Sequence, residues 1–187
     1  MARTQACSWK PGGRRTGPST TPGVSVAHWV SGAVSLYQRD FDVVEEYFRG
    51  AEALAPNCAD LLLEYGDAMS HLGEHEAAWQ KYLRAIELNP LPPDRYWWFG
   101  ASIAFAREDF ETAVDLCGNL RSDEVAVGLR AASFAMAGRK HEARYWGQRV
   151  REVLPEMTLA DFGKLSPTKY AKDKELYLEG LRLAGIS

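Results

Sequence analysis

Residues 59–92 read ADLLLEYGDAMSHLGEHEAAWQKYLRAIELNPLP, and they decide the fold. Gly66 sits where a first helix must approach a second, and a Cβ there would push the two apart. Gly73 follows the apolar run and ends the first helix, as a left-handed glycine just past a helix does. Ala78 supplies a small contact on the second helix. Tyr82, Ala85 and Ile86 continue its inner face at the three- and four-residue spacing of an amphipathic helix. Pro90 stops it, because the residue before a proline is pushed out of the helical region. The segment therefore predicts a helix–turn–helix hairpin. The same frame recurs outside it. Gly32, Gly66 and Gly100 are 34 residues apart, and so are Phe48 and Tyr82, Ala51 and Ala85, and Pro56 and Pro90.

A period of about 34 residues is that of the tetratricopeptide repeat, which the chain resembles over residues 25–155. The first unit, Ser25–Cys58, departs from the family at Val44, where alanine is usual, and at Arg39, where glycine is. The third is lengthened by Pro92 and Pro93, so that Ala113 falls 35 residues after Ala78, and its second helix is expected to be short, ending near Gly118–Ser122. The fourth, Glu124–Pro155, has Gly138 at its turn and Ala143 on its second helix. A hairpin of this kind cannot bury its apolar face alone, and stacked neighbours supply the missing wall. The resemblance implies an all-α, right-handed superhelical solenoid of four stacked helix-turn-helix hairpins over residues 24–155. After Pro155, Thr158 predicts the cap of a short helix over Leu159–Leu165, broken by Ser166-Pro167. A final helix over about Ala171–Ala184 ends at Gly185, so residues 156–187 read as C-terminal capping helices.

Composition narrows the function. The chain has 187 residues, 46% hydrophobic and 25% charged, as an ordinary globular protein does. Its net charge of −3 disfavours a nucleic-acid partner, and no apolar run is long enough to cross a membrane. Residues 1–23 carry Arg3, Lys10, Arg14 and Arg15 and no acid, in a Gly-, Pro-, Ser- and Thr-rich context. They read as a disordered basic tail, and their prolines and glycines argue against the amphipathic helix of an organelle-targeting peptide. Three widely spaced cysteines without a CxxC pair argue against a zinc site and a disulfide framework, and fit a reducing compartment such as the cytoplasm. The chain lacks the sequence patterns GxSxG, GxxxxGK[ST] and GxGxxG. His71 and His75 have helical metal-ligand spacing, but Gly73 between them marks a turn, so both read as solvated. Asp60, Glu64, Asp67 and Glu74 read as helix-surface carboxylates. The expectation is a non-enzymatic chain with no catalytic residue, cofactor or metal.

The family likeness implies instead a groove for a peptide or protein, lined by the face of each inner helix opposite the core. Carried onto this chain, the groove positions are Trp29 and Tyr37 in the first unit, Asp60, Leu63, Asp67 and His71 in the second, and Arg95, Trp98, Ser102 and Phe105 in the third. This surface is aromatic and acidic, without the Lys/Arg clamp that grips a ligand carboxylate in some members. It predicts an apolar or basic peptide. Tyr96, Trp97, Trp98 and Phe99 are consecutive, so on a helix they point in four directions about 100° apart. Trp97 and one neighbour are expected in the core, with Trp98 facing the groove. Solenoid ends expose helix faces, so self-association is a further expectation.

Three segments carry a narrower likeness. Pro-Pro-Asp-Arg-Tyr-Trp-Trp-Phe (92–99), Pro155-x-x-Thr158-Leu159-x-x-Phe162, and Leu-Tyr-Leu-Glu-Gly-Leu-Arg-Leu-Ala-Gly-Ile (176–186) are similar to the C-terminal repeat region of bacterial class III adenylate/guanylate cyclase-like proteins. This likeness implies a detached sensor or interaction module of such a signalling protein, or of a transcription regulator. It does not imply the cyclase activity, whose metal-binding aspartates have no counterpart here.

Overall fold

The computed structural model describes residues 22–187, and among them every regular element is a helix. The reading of the basic tail lies outside the described residues up to residue 21. Pro22 and Gly23, assigned above to that tail, instead form the first turn of α1 (Pro22–Gln38), where proline's fixed φ suits a helix start.

Eight helices form four antiparallel pairs: α1 with α2 (Phe41–Leu54), α3 (Ala59–His71) with α4 (His75–Leu88), α5 (Asp94–Ala106) with α6 (Phe110–Cys117), and α7 (Val127–Met136) with α8 (Lys140–Val153). The tightest packing is within each pair, and neighbouring pairs then stack through α2 on α3, α3 and α4 on α5, and α6 on α7. The interior is correspondingly a string of clusters rather than one centre. Leu36, Val44, Phe48, Leu61 and Tyr65 fill the first joint. Leu62, Leu63, Ala78, Tyr82, Tyr96 and Ile103 fill the second. Phe105, Ala113, Leu129, Ala132, Val150 and Leu181 belong to the third. Each cluster draws on two hairpins or more, as a stacked repeat requires.

The turns fix the register. A left-handed residue stands just past the first helix of each pair: Arg39 (φ 63°), Gly73 (φ 87°), Glu108 (φ 63°) and Gly138 (φ 74°). The third hairpin therefore runs 35 residues behind the second throughout. The structural counterpart of Gly66 is Ala101, fully buried, and not Gly100. Gly66 itself does what its spacing predicts: a Cβ there would lie 3.0 Å from the Ala78 carbonyl oxygen.

The chain then turns back. Thr158 caps α9 (Leu159–Leu165) in a reciprocal box, accepting from the Asp161 amide while Asp161 accepts from the Thr158 amide. The Thr158 hydroxyl, donating to the Asp161 carboxylate at 2.6 Å, then Lys164 at 2.9 Å and the Thr158 amide, hold that carboxyl down to about 2. The last helix, α10 (Ala171–Leu183), packs chiefly on α7, with Gly180 set against Ala132, and its Glu175, Glu179 and Arg182 point outward. Between α9 and α10, residues 166–170 run back to the second hairpin as a strap.

Candidate functional site

The first helices of all four hairpins, together with α9, the strap and α10, enclose one cavity of about 340 Å³. Tyr37 enters from α1, Asp67, Ser70 and His71 from α3, Trp98, Ser102 and Phe105 from α5, and Leu129 from α7. Phe162, Thr168, Asp173 and Tyr177 close the other side. The size is that of a pocket for a small ligand or a few side chains.

Six of the ten groove positions read from the sequence meet at this cavity: Tyr37, Asp67, His71, Trp98, Ser102 and Phe105. Four do not. Trp29 packs against the first cluster beside Ala33 and Phe41. Leu63 is fully buried in the second cluster, because the third hairpin seats directly over it. Asp60 accepts from the Tyr96 hydroxyl at 2.9 Å, and burial raises that phenol to about 12. Arg95 bridges Asp60 at 3.6 Å and Glu64 at 3.3 Å, and lies over the Phe99 ring. These three form an ion-pair network beside the cavity. The aromatic run also differs from its reading: Tyr96, not Trp97, is the fully buried ring, while Trp98 is 42% exposed at the cavity wall.

The two histidines are not solvated. His71 ends α3 with its Nε2 3.7 Å from Asp67, and its Nδ1 is 3.4 Å from the Thr168 hydroxyl of the strap. His75 opens α4 with its Nε2 3.4 Å from Asp173 of α10. Lys169 donates its amide to the His71 carbonyl at 2.9 Å, and the Tyr170 ring lies on Gly73. At the far end Arg39 donates to the carbonyls of Lys164 and Ser166. The strap is thus fastened to the turns of the first two hairpins. Sequence reasoning missed it because its partners are about a hundred residues away and no local pattern marks them.

Electrostatics at the cavity is one-sided. Its lining holds Asp67 and Asp173 and neither lysine nor arginine. Burial pushes the Asp67 carboxyl above its usual range, against the smaller opposing effect of His71. Burial also raises Glu64 on the same helix, with Arg95 opposing. The Tyr37 hydroxyl is raised by burial and then by Asp67 and Glu64, and burial raises Tyr177. Among the described residues no group of His, Cys, Asp and Glu side chains is disposed to hold a metal ion, and no helix is long and apolar enough to cross a membrane.

The architecture defines an all-α, tetratricopeptide-like solenoid. Among the solved structures that match is the MamA RS-1 ArsTM double mutant, a protein of this repeat type, with a TM-score of 0.58 and 12% identity over 85% of this chain and 93% of that one. At that identity the likeness concerns the fold. No family model and no curated protein matches the chain, so the likeness to cyclase-like repeat regions rests on the three sequence segments alone.

Proposed function

We propose that the chain is a non-catalytic protein-interaction scaffold that takes a peptide or protein segment at the face shared by α1, α3, α5 and α7. One observation carries this reading: six of the ten inner-helix positions that the family likeness implies line a single cavity. The strap alters the family's geometry. It narrows an open channel to a pocket, so the partner inserts side chains rather than lying along the whole solenoid. Trp98 and Tyr37, 42% and 69% exposed, stand at the rim where aromatic anchors dominate binding. Self-association fits a second surface, on α1. Val26, Val30 and Val34 leave an exposed apolar stripe on this helix, which has no charged residue.

Photo-crosslinking in living cells tests the reading, with the reactive residue in place of Trp98, of Tyr37, or of Glu87 on the outer helix α4. The expected result is one protein adduct of the same mass from positions 98 and 37 and none from 87. No adduct from 98 or 37, or the same adduct from 87, overturns it.

A further inference from the structure

We infer that the cavity binds an organic cation, an ammonium or guanidinium head carried either on a lysine or arginine of a partner or on a free small amine. The inference narrows the reading above and rests on it for the partner arm.

Two independent features point the same way. The first is an uncompensated carboxylate. Asp173 lines the cavity with its side chain 9% exposed, and its Oδ2 is buried without a hydrogen-bond partner. Its one basic neighbour is His75, whose two ring nitrogens are themselves buried without a hydrogen bond. Asp67, a second lining acid, is 14% exposed and has His71 as its ion-pair contact, at 3.7 Å. Two buried carboxylates facing one space, with no lysine or arginine in its lining, leave negative charge that a desolvated cation complements.

The second feature is the aromatic part of the same lining. Trp98 meets Phe99 edge-on at 5.6 Å, and Tyr177 meets Phe105 at 6.0 Å and Phe162 at 6.3 Å, all of them lining residues. Ring faces attract a cation within about 6 Å of their centroids, and most strongly when water is excluded. An aromatic lining that also holds two carboxylates rejects anions and gives a neutral ligand no charge complement for Asp173. The volume of about 340 Å³ accommodates an alkylammonium head and its stem.

Calorimetric titration of the full chain tests this with n-butylammonium, with its neutral counterpart 1-pentanol, and with a pentapeptide Gly-Gly-Lys-Gly-Gly beside its norleucine analogue. Saturable n-butylammonium binding at least tenfold tighter than pentanol is expected. Asp173→Asn and Asp67→Asn each weaken it tenfold or more, and Trp98→Ala, at an exposed position that keeps the fold, weakens it several-fold. Circular dichroism verifies that each variant is folded. A lysine peptide that binds tighter than n-butylammonium assigns the cation to a partner, and the reverse order assigns it to a free amine. Equal binding of pentanol, unchanged binding in the folded Asp173→Asn variant, or no saturable binding of any ammonium probe overturns the inference. The crosslinking experiment reads separately. Adducts at Trp98 without ammonium binding sink only the cation site, and ammonium binding without adducts sinks only the scaffold.

Discussion

Gly73 and Gly138 occupy the same place in the second and fourth hairpins, with φ of 87° and 74°. They differ in what faces them. A Cβ at Gly138 would meet nothing within 4 Å, whereas one at Gly73 would lie 2.6 and 2.7 Å from Cε2 and Cδ2 of Tyr170. The pair therefore separates backbone strain from docking of the strap. Alanine in the left-handed region costs roughly 1–2 kcal/mol, and the stiffer unfolded chain returns about 0.4–1 kcal/mol. Gly138→Ala should then lose about 1 kcal/mol. Gly73→Ala carries the same term and must also displace the Tyr170 ring by about 1 Å, since carbon atoms rest about 3.5–4.0 Å apart. Tyr170 is 46% exposed, so its displacement forfeits roughly half the burial of an aromatic side chain, about 1 kcal/mol more. At about 2–4 °C of Tm per kcal/mol for a chain of this size, Gly73→Ala should fall about twice as far as Gly138→Ala in thermal melts followed by circular dichroism. Tyr170→Ala completes a double-mutant cycle, and in its background the two glycine changes should become equal. Equal losses in the wild-type background, or no coupling to Tyr170, would show that the strap does not rest on the second hairpin.

Glu108 holds the left-handed turn position without being glycine, so Glu108→Gly should stabilise by about 0.5–1 kcal/mol, the strain relieved exceeding the entropy lost; urea unfolding measures it, and a destabilised variant refutes the strain. Arg130, 3% exposed, donates to the carbonyls of Cys117 and Leu120, meets Asp123 at 3.1 Å and lies over Trp146. Arg130→Met should cost about 1–3 kcal/mol by taking the side-chain donor from the buried Leu120 carbonyl, the Cys117 carbonyl keeping the Leu120 amide. Asp123→Asn, at a side chain 62% exposed, should cost under about 1 kcal/mol in the same urea melts. Asp67 has a folded-state pKa raised by burial, so the folded protein binds its proton more tightly than the unfolded chain does. Its contribution to stability is greatest in acid and is lost as pH rises from about 4 through the raised value. Asp67→Asn should therefore match wild type near pH 3 and exceed it at neutral pH, as Tm against pH will show.

What the sequence reveals depends on whether a contact is local. Gly66 against Ala78, the Thr158 box and the turns at Gly73 and Gly138 are decided within a few residues, and period and capping chemistry disclose them. Gly100 misleads because its match to Gly66 is numerical. The whole third hairpin is displaced by one, and Ala101 fills the structural position. Trp97 misleads separately, since Tyr96 takes the fully buried place, which the one-residue displacement does not account for. His71 and His75 defeat local reading altogether. A histidine at a turn is ordinarily solvated, and what covers these arrives about a hundred residues later, Thr168 of the strap at His71 and Asp173 of α10 at His75.

That strap also changes the meaning of the inner face. In an open groove Asp67 would be a surface residue, its charge screened by water. Once α9, the strap and α10 close over it, the same carboxylate is buried, its proton is held more tightly, and its ionised form costs stability. A chain selected only for stability would replace Asp67 with asparagine and pair Asp173 more fully. Keeping two poorly compensated acids inside an aromatic enclosure is the arrangement expected where a site gives up stability for a ligand of opposite charge. The expected rise in Tm of Asp67→Asn at neutral pH and its expected loss of ammonium binding are two readings of one electrostatic fact. Finding the first without the second would leave the acid as a burial defect with no ligand.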